Sequence, residues 1–124
     1  MSTQPRRVLI IDDHAAFRDA ARELLEHRGF AVVAQADCAT SGLEAAERVE
    51  PEIVVLDIGL PDGDGFDVCD TLTQRNPELT VLLVSAREQH NRQAIHDCGA
   101  RAFLLKSRLL STDFSSFLRG DGAN

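Results

Sequence analysis

The sequence predicts an α/β fold in which a parallel sheet carries helices on both faces, and two observations lead there. Five short apolar runs of β-forming character are spaced along the chain, and each is followed by a stretch of helical length. One run, Ile53-Val54-Val55-Leu56, has no alternating polar residue, as expected of a strand buried on both sides. Strands that alternate with helices pair in parallel, because each return to the sheet needs a crossover, and that crossover is right-handed.

Val8 to Ile11 reads as the first strand and runs directly into Asp12-Asp13-His14. From Ala15 to Arg28, Phe17, Ala20, Ala21, Leu24 and Leu25 share one helical face, and Gly29 suits the position just past the helix end. Phe30 to Ala34 is the second strand. Ser41-Gly42-Leu43-Glu44 has the form of a capping box opening a helix with Leu43, Ala46 and Val49 inward, which Pro51 stops. The run from Ile53 then delivers Asp57 to a tight loop, Gly59 to Gly65. A helix from about Phe66 turns Val68, Cys69 and Leu72 inward and ends at Asn76-Pro77. Leu79 to Val84 is the fourth strand, finishing at Ser85-Ala86. Glu88 to Cys98 has helical length but only Ala94, Ile95 and Cys98 to bury, so it should be loosely held. Arg101 to Leu105 is the fifth strand, followed at once by Lys106. Leu110, Phe114, Phe117 and Leu118 suggest a short last helix before the polar stretch Gly120 to Asn124.

With 124 residues the chain is expected to form one domain that needs no disulfide or structural metal to fold. Its three cysteines are widely spaced without a C-x-x-C pair, which favours reduced packing thiols over a disulfide framework or a zinc site. No apolar run approaches a membrane span or the core of a signal peptide, and the expected location is cytoplasmic. A formal charge of −7 argues against direct nucleic-acid binding, which needs clustered Lys and Arg.

In an open parallel sheet the ligand site lies beyond the carboxyl ends of the strands. Asp12 and Asp13 leave the first strand, Asp57 the third, Ser85 the fourth and Lys106 the fifth, so these polar groups meet at one sheet edge. Three carboxylates held together require compensating positive charge from a divalent cation, from Lys106, or from both. Oxygen ligands with room for waters and phosphate oxygens point to Mg2+. A carboxylate beside such an ion, with a hydroxyl and an ammonium to receive charge developing on phosphoryl oxygens, is suited to accept a phosphoryl group. Taken singly, each residue has a plainer role: Asp57 could form an Asx turn, Asp12 could cap the first helix, Lys106 could be a solvated strand-end charge, and Phe103 could be half-buried core. His14, His27, His90 and His96 lack ligand spacing, although His14 is close enough to the acids for a modest role. Other aspartate and glycine chemistries fit less well. A dehalogenase-type phosphatase needs a second Asp at position 59, which is glycine, and Gly63-x-Gly65 satisfies neither a dinucleotide-binding loop nor a calcium loop.

Asp12-Asp13, Asp57, Pro61, Asp64-Gly65, Ser85-Ala86 and Lys106, at these spacings, resemble the receiver domain of bacterial two-component response regulators from about Val8 to Phe117. Asp-Asp-His and Leu-Leu-Lys are most similar to receivers of the nitrate-regulator type, which precede DNA-binding domains. The resemblance implies a five-stranded sheet of order 2-1-3-4-5 flanked by five helices. It implies that Asp57 accepts phosphoryl from a sensor histidine kinase, that Asp13 and Asp57 bind Mg2+ directly with the Gly59 carbonyl while Asp12 helps through water, and that Ser85 and Lys106 hold phosphoryl oxygens. Such a domain catalyses its own phosphorylation and dephosphorylation without being a conventional turnover enzyme. Ser85 and Phe103 would then switch the face made by the fourth helix, fifth strand and fifth helix, which an output protein or a second copy of the chain reads through Arg92, Gln93, Arg101 and Phe103.

Ser107 departs from the family, where many members have proline after the lysine. A single receiver domain over 1–124 is expected, with its core over about 8–118, flexible tails at 1–7 and 120–124, and no output domain, whether stand-alone or excised from a DNA-binding regulator. The rival reading is a pseudo-receiver that binds partners without phosphorylation.

Overall fold

Strand-forming runs buried on both faces dictate the centre of the molecule. The computed structural model describes residues 4–88 and 91–109. Its strands are β1 (Arg7–Ile11), β2 (Ala31–Ala36), β3 (Ile53–Asp57), β4 (Thr80–Ser85) and β5 (Ala102–Leu105). Its helices are α1 (Ala15–His27), α2 (Ala39–Val49), α3 (Gly65–Arg75), α4 (Arg92–Asp97) and α5 (Lys106–Leu109). The five strands form one parallel sheet in the order β2-β1-β3-β4-β5. Between β3 and α3, Gly59–Leu60 and Gly63–Asp64 pair as a short antiparallel ribbon.

Alternation along the strands divides the core in two. Leu9, Ile11, Val54, Leu56, Val81 and Leu83 point to the side where Ala45, Val68, Cys69, Leu72 and Cys98 pack. Val8, Ile10, Ile53, Val55, Leu82 and Val84 point to the other, against Phe17, Ala21 and Leu25 of α1 and Leu109 of α5. Every residue of β3 is buried. Each large aliphatic side chain removed from water in this way contributes about 1.5–3 kcal/mol, which fixes the strand against sliding and sets the position of the residue at its end.

Several boundaries differ from the sequence reading. Helix α2 starts at Ala39, not at the Ser41 capping box; its N-cap residue Cys38 makes no side-chain cap. The cap comes instead from Asp62, whose carboxylate accepts from Ala39 N at 2.6 Å, Thr40 N at 3.0 Å and the Thr40 hydroxyl at 2.9 Å. With the earlier start, the fully buried stripe is Ala39, Gly42 and Ala45, while Leu43 and Ala46 flank it partly buried. Helix α4 is shorter than the expected 88–98, beginning after Asn91, whose side chain accepts from Ala94 N. None of its residues is fully buried, and Ile95 and the following Cys98 provide its attachment to the core. Lys106 opens α5 with no loop between them, and Ser107 lies within that helix. Arg7, expected in an N-terminal tail over 1–7, instead opens β1; residues 1–3 of that tail, the tail at 120–124, the helix expected around Leu110, Phe114, Phe117 and Leu118, and His90 lie outside the described residues. Among the described residues no helix is long and apolar enough to cross a membrane.

Candidate phosphoryl-acceptor site

Two strand ends bring the acids together. β1 and β3 are paired in register from Val8 with Ile53 to Ile11 with Leu56, so Asp12 and Asp57 emerge side by side at the same edge. Asp12 is pinned at both backbone groups: its N–H donates to Ala36 O at 2.9 Å, and its carbonyl accepts from Arg18 Nη1 at 2.6 Å. The β3–β4 register sets Asp57 opposite Val84, which places Ser85 one residue further out, and Ser85 is opposite Leu105, next to Lys106.

Asp12 is fully buried, Asp57 is 4% exposed and Asp13 is exposed at the rim. Asp57 Oδ1 accepts from Gly59 N at 3.2 Å, and Lys106 Nζ donates to Asp57 Oδ2 at 3.3 Å. The same ammonium lies 2.7 Å from Asp12 Oδ2 and 4.9 Å above the centroid of the Phe17 ring. Its approach to Asp12 Oδ2 is an ion-pair contact without hydrogen-bond alignment, so this buried oxygen has no hydrogen-bond donor. Burial, with the neighbouring Asp12 charge second, raises the Asp57 carboxyl above its ordinary 3.8, and Lys106 and the Gly59 N–H oppose the rise.

A buried carboxylate oxygen lacking a donor, next to two further carboxylates, is a setting that a hard divalent cation satisfies. One ligand atom from each of Asp12, Asp13, His14 and Asp57 can be chosen so that all lie within 4.8 Å of one another. The residues present therefore fit a metal ion of the Mg2+ type.

Glycine is required at one point of this edge. A Cβ on Gly65 would stand 2.5 Å from the Asp57 carbonyl oxygen, 2.5 Å from Ile58 Cα and 2.9 Å from Ile58 O. The N-terminus of α3 thus presses directly on the backbone that carries Asp57, and Gly65 N donates to Ile58 O at 2.7 Å.

The family description "response regulator receiver domain" matches residues 8–111. The chain belongs to the response regulator receiver family. Among solved structures, the signal receiver domain of NarL from Mycobacterium tuberculosis is 30% identical, covers 94% of this chain and 98% of that one, and superposes with a TM-score of 0.76. A CheY-like receiver domain protein from Methanospirillum hungatei shares the fold at 24% identity and a TM-score of 0.81, over 97% of this chain and 99% of that one. Among curated proteins, the transcriptional regulatory protein PdtaR of Mycobacterium tuberculosis is 31% identical over 102 residues, which are 82% of this chain and 50% of that protein. The response regulator MprA of a Mycobacterium species is 35% identical over 106 residues, or 82% of this chain and 44% of that protein. The chain spans about half the length of the curated relatives it matches.

Of the site residues expected in this receiver, Asp12, Asp13, Asp57 and Lys106 converge, and Gly59 lies beside them through its N–H. The Ser85 hydroxyl is half-buried at the end of β4 and accepts from Arg87 N at 3.1 Å. Phe103 is half-buried and packs on the core side shared with α2, α3 and α4. Arg92, Gln93 and Arg101 are exposed. Three contributors were underrated from sequence. His14 Nδ1 stands 3.2 Å from both Asp12 Oδ1 and Asp13 Oδ1, and 3.1 Å from Lys106 Nζ. Phe17 supplies the ring face under Lys106; its place four residues after Asp13, in the first helical turn, was an available signal. Arg18 clamps the Asp12 carbonyl, and nothing in its spacing marks it.

Proposed function

We propose that this receiver accepts a phosphoryl group from a sensor histidine kinase onto Asp57 in a Mg2+-dependent reaction, and that the phosphorylated form changes partner binding at the surface formed by α4, β5 and α5. The observation that carries the reading is the buried Asp57 carboxylate held between the Gly59 N–H and the Lys106 ammonium. Asp13, Asp57 and the Gly59 carbonyl would hold Mg2+ with Asp12 alongside, and when bound the ion supplies charge neutralisation and orientation of phosphoryl oxygens.

The Gly59 N–H fixes Asp57 Oδ1 and leaves Oδ2 to attack phosphorus as the bond to the donor's nitrogen or oxygen breaks. Burial favours this step, because a poorly solvated carboxylate is a more basic nucleophile than one in water. Lys106, already 3.3 Å from Oδ2, passes from the carboxylate to the phosphoryl oxygens as negative charge moves onto them. Its position is fixed by Asp12 on one side and the Phe17 ring on the other.

Ser85 provides the outward link. A phosphoryl oxygen offers its hydroxyl a charge-assisted partner, worth about 1.5–3 kcal/mol, in competition with its present bond from Arg87 N. Movement there reaches α4, the most weakly buried of the longer described helices, and Phe103 on β5. An output protein, an output domain of a longer chain, or a second copy would read that change through Arg92, Gln93, Arg101 and Phe103. The curated relatives' greater length favours an output domain of the regulator kind.

Intact-mass measurement after incubation with acetyl phosphate and Mg2+ tests the assignment. Wild type should gain one phosphoryl mass and Asp57→Asn none, because an amide is a poor nucleophile. Equal mass gain in the variant places the acceptor elsewhere, and no gain in wild type supports the pseudo-receiver reading.

A further inference from the structure

Helix α4 is held unequally at its two ends. Arg92 and Gln93 in its first turn are exposed, Ala94 and Ile95 are half-buried, and its C-cap residue Cys98 is buried. Gln93 Nε2 donates to Asp97 Oδ1 at 2.8 Å and His96 Nδ1 stands 3.4 Å from the same oxygen, bonds internal to the helix that tie it to no other element.

The C-terminal end is fixed from α3. The Cys98 carbonyl accepts from the Thr73 hydroxyl at 3.0 Å and from the Cys69 thiol at 3.2 Å. That hydroxyl has one hydrogen, for which Cys69 O at 2.9 Å and Asp70 O at 3.2 Å compete, so the two α3 side chains hold the Cys98 carbonyl between them. Steric contact reinforces the bonds. Gly99 has φ +88°, and a Cβ there would stand 2.8 Å from Thr73 Oγ1 and 3.1 Å from Thr73 Cβ, so the backbone lies flat on the threonine side chain. Two residues later Arg101 N donates to Val81 O at 2.8 Å, which ties the chain to the sheet.

We propose that α4 swings about a pivot at Cys98, and that the phosphorylation-dependent part of the output surface is therefore the first turn of α4, Arg92 and Gln93, while Arg101 stays with the sheet. This rests on the phosphoryl-acceptor reading above and divides the surface which that reading names. A translation of the whole helix would break both bonds from α3 and leave the carbonyl of a buried residue without a donor, whereas a swing keeps them. Six residues of helix put Arg92 about 9 Å from the pivot, so a tilt of about 15° carries it through about 2 Å. Thr73 is then a positioning residue: it sets the direction of the movement without touching the acceptor site.

Amide shifts and hydrogen exchange of the full chain, with and without beryllofluoride and Mg2+, test this in wild type, Thr73→Val and Thr73→Ser. Valine keeps the branched shape and removes the hydroxyl; serine keeps the hydroxyl. In wild type, beryllofluoride should shift the amides of Ala94 and Ile95, which donate to Asn91, and leave those of Cys98, Gly99 and Arg101 in place. Without beryllofluoride, the Cys98 and Gly99 amides, which donate to Ala94 O and His96 O, should exchange about tenfold faster in Thr73→Val and no more than about twofold faster in Thr73→Ser. Wild-type shifts at Cys98 to Arg101 as large as those at Ala94 and Ile95, or unchanged exchange in Thr73→Val, overturn the pivot. No beryllofluoride response at residues 57 to 60 overturns the acceptor reading instead, and the exchange comparison still decides the pivot.

Discussion

Replacing Gly65 with alanine should damage both the fold and the site, and the structure allows the size of the effect to be worked out. The added Cβ meets three backbone atoms of Asp57 and Ile58 at 2.5, 2.5 and 2.9 Å. Ordinary contact needs about 3.4 Å or more, and none of these atoms can rotate away as a side chain would. Helix α3 and the Asp57–Ile58 segment must therefore separate by close to 1 Å, an overpacking cost of about 1–3 kcal/mol. The separation also strains the 2.7 Å bond from Gly65 N to Ile58 O, worth about 1 kcal/mol. Alanine's better helix propensity returns at most about 1 kcal/mol. A net loss of about 2 kcal/mol lowers the melting temperature of a domain this size by about 8 °C. Gly59→Ala is the control on the same loop, because nothing lies within 4 Å of its Cβ. Thermal and urea denaturation of the two variants should separate them clearly, and Gly65→Ala should also take up phosphoryl more slowly, since Asp57 moves with its backbone. Equal midpoints for the two variants would falsify the close-approach argument.

Two further expectations concern charge. The folded-state pKa of Asp57 is raised above 3.8, so its ionisation costs stability: the contribution is favourable below the unfolded value and is lost as pH rises through the folded one. Asp57→Asn should therefore melt higher than wild type at pH 7, with the gap closing below about pH 4; a variant that melts lower at pH 7 would refute the sign. Asp62 behaves oppositely, because hydrogen bonds from Ala39 and Thr40 hold its carboxyl down to about 2. Its stabilising contribution is present above 3.8 and disappears as pH falls through about 2, so Asp62→Asn should flatten the acid limb of a stability-versus-pH curve between those values. An acid limb identical to that of wild type would show that the cap is not formed in solution.

The sheet and the meeting of the acids were legible because they rest on long-lived signals. The uninterrupted run from Ile53 could only be a doubly buried strand, and strand ends fix where Asp57, Asp12 and Lys106 appear. Helix α2 was legible as an element but not at its start. Ser41-x-x-Glu44 matches a local cap, yet the N–H groups of Ala39 and Thr40 are satisfied by Asp62, more than twenty residues away, and no local pattern announces a partner at that distance. The buried face of α2 shifted with it. Helix α4 was read too long for the opposite reason, since the sequence from Glu88 to Gln93 supplies no apolar side chain for an inward face, and the helix begins only after the Asn91 cap. His14 was underrated because spacing between histidines was the criterion, whereas its neighbours are the two aspartates immediately before it.

The Asp62 carboxylate has one more consequence. It ties the ribbon after β3, which carries Gly59, to the first turn of α2, so two amides far away in sequence report on that loop. While the clamp is closed, the Ala39 and Thr40 amides are shielded by one acceptor group. When the ribbon swings away, both are released in the same event. Their hydrogen-exchange rates should therefore rise and fall together with loop opening, and the ratio between them should stay constant as pH or metal content changes. The first turn of α2 is in effect a clock for the motion of a loop beside the Asp57 carboxylate.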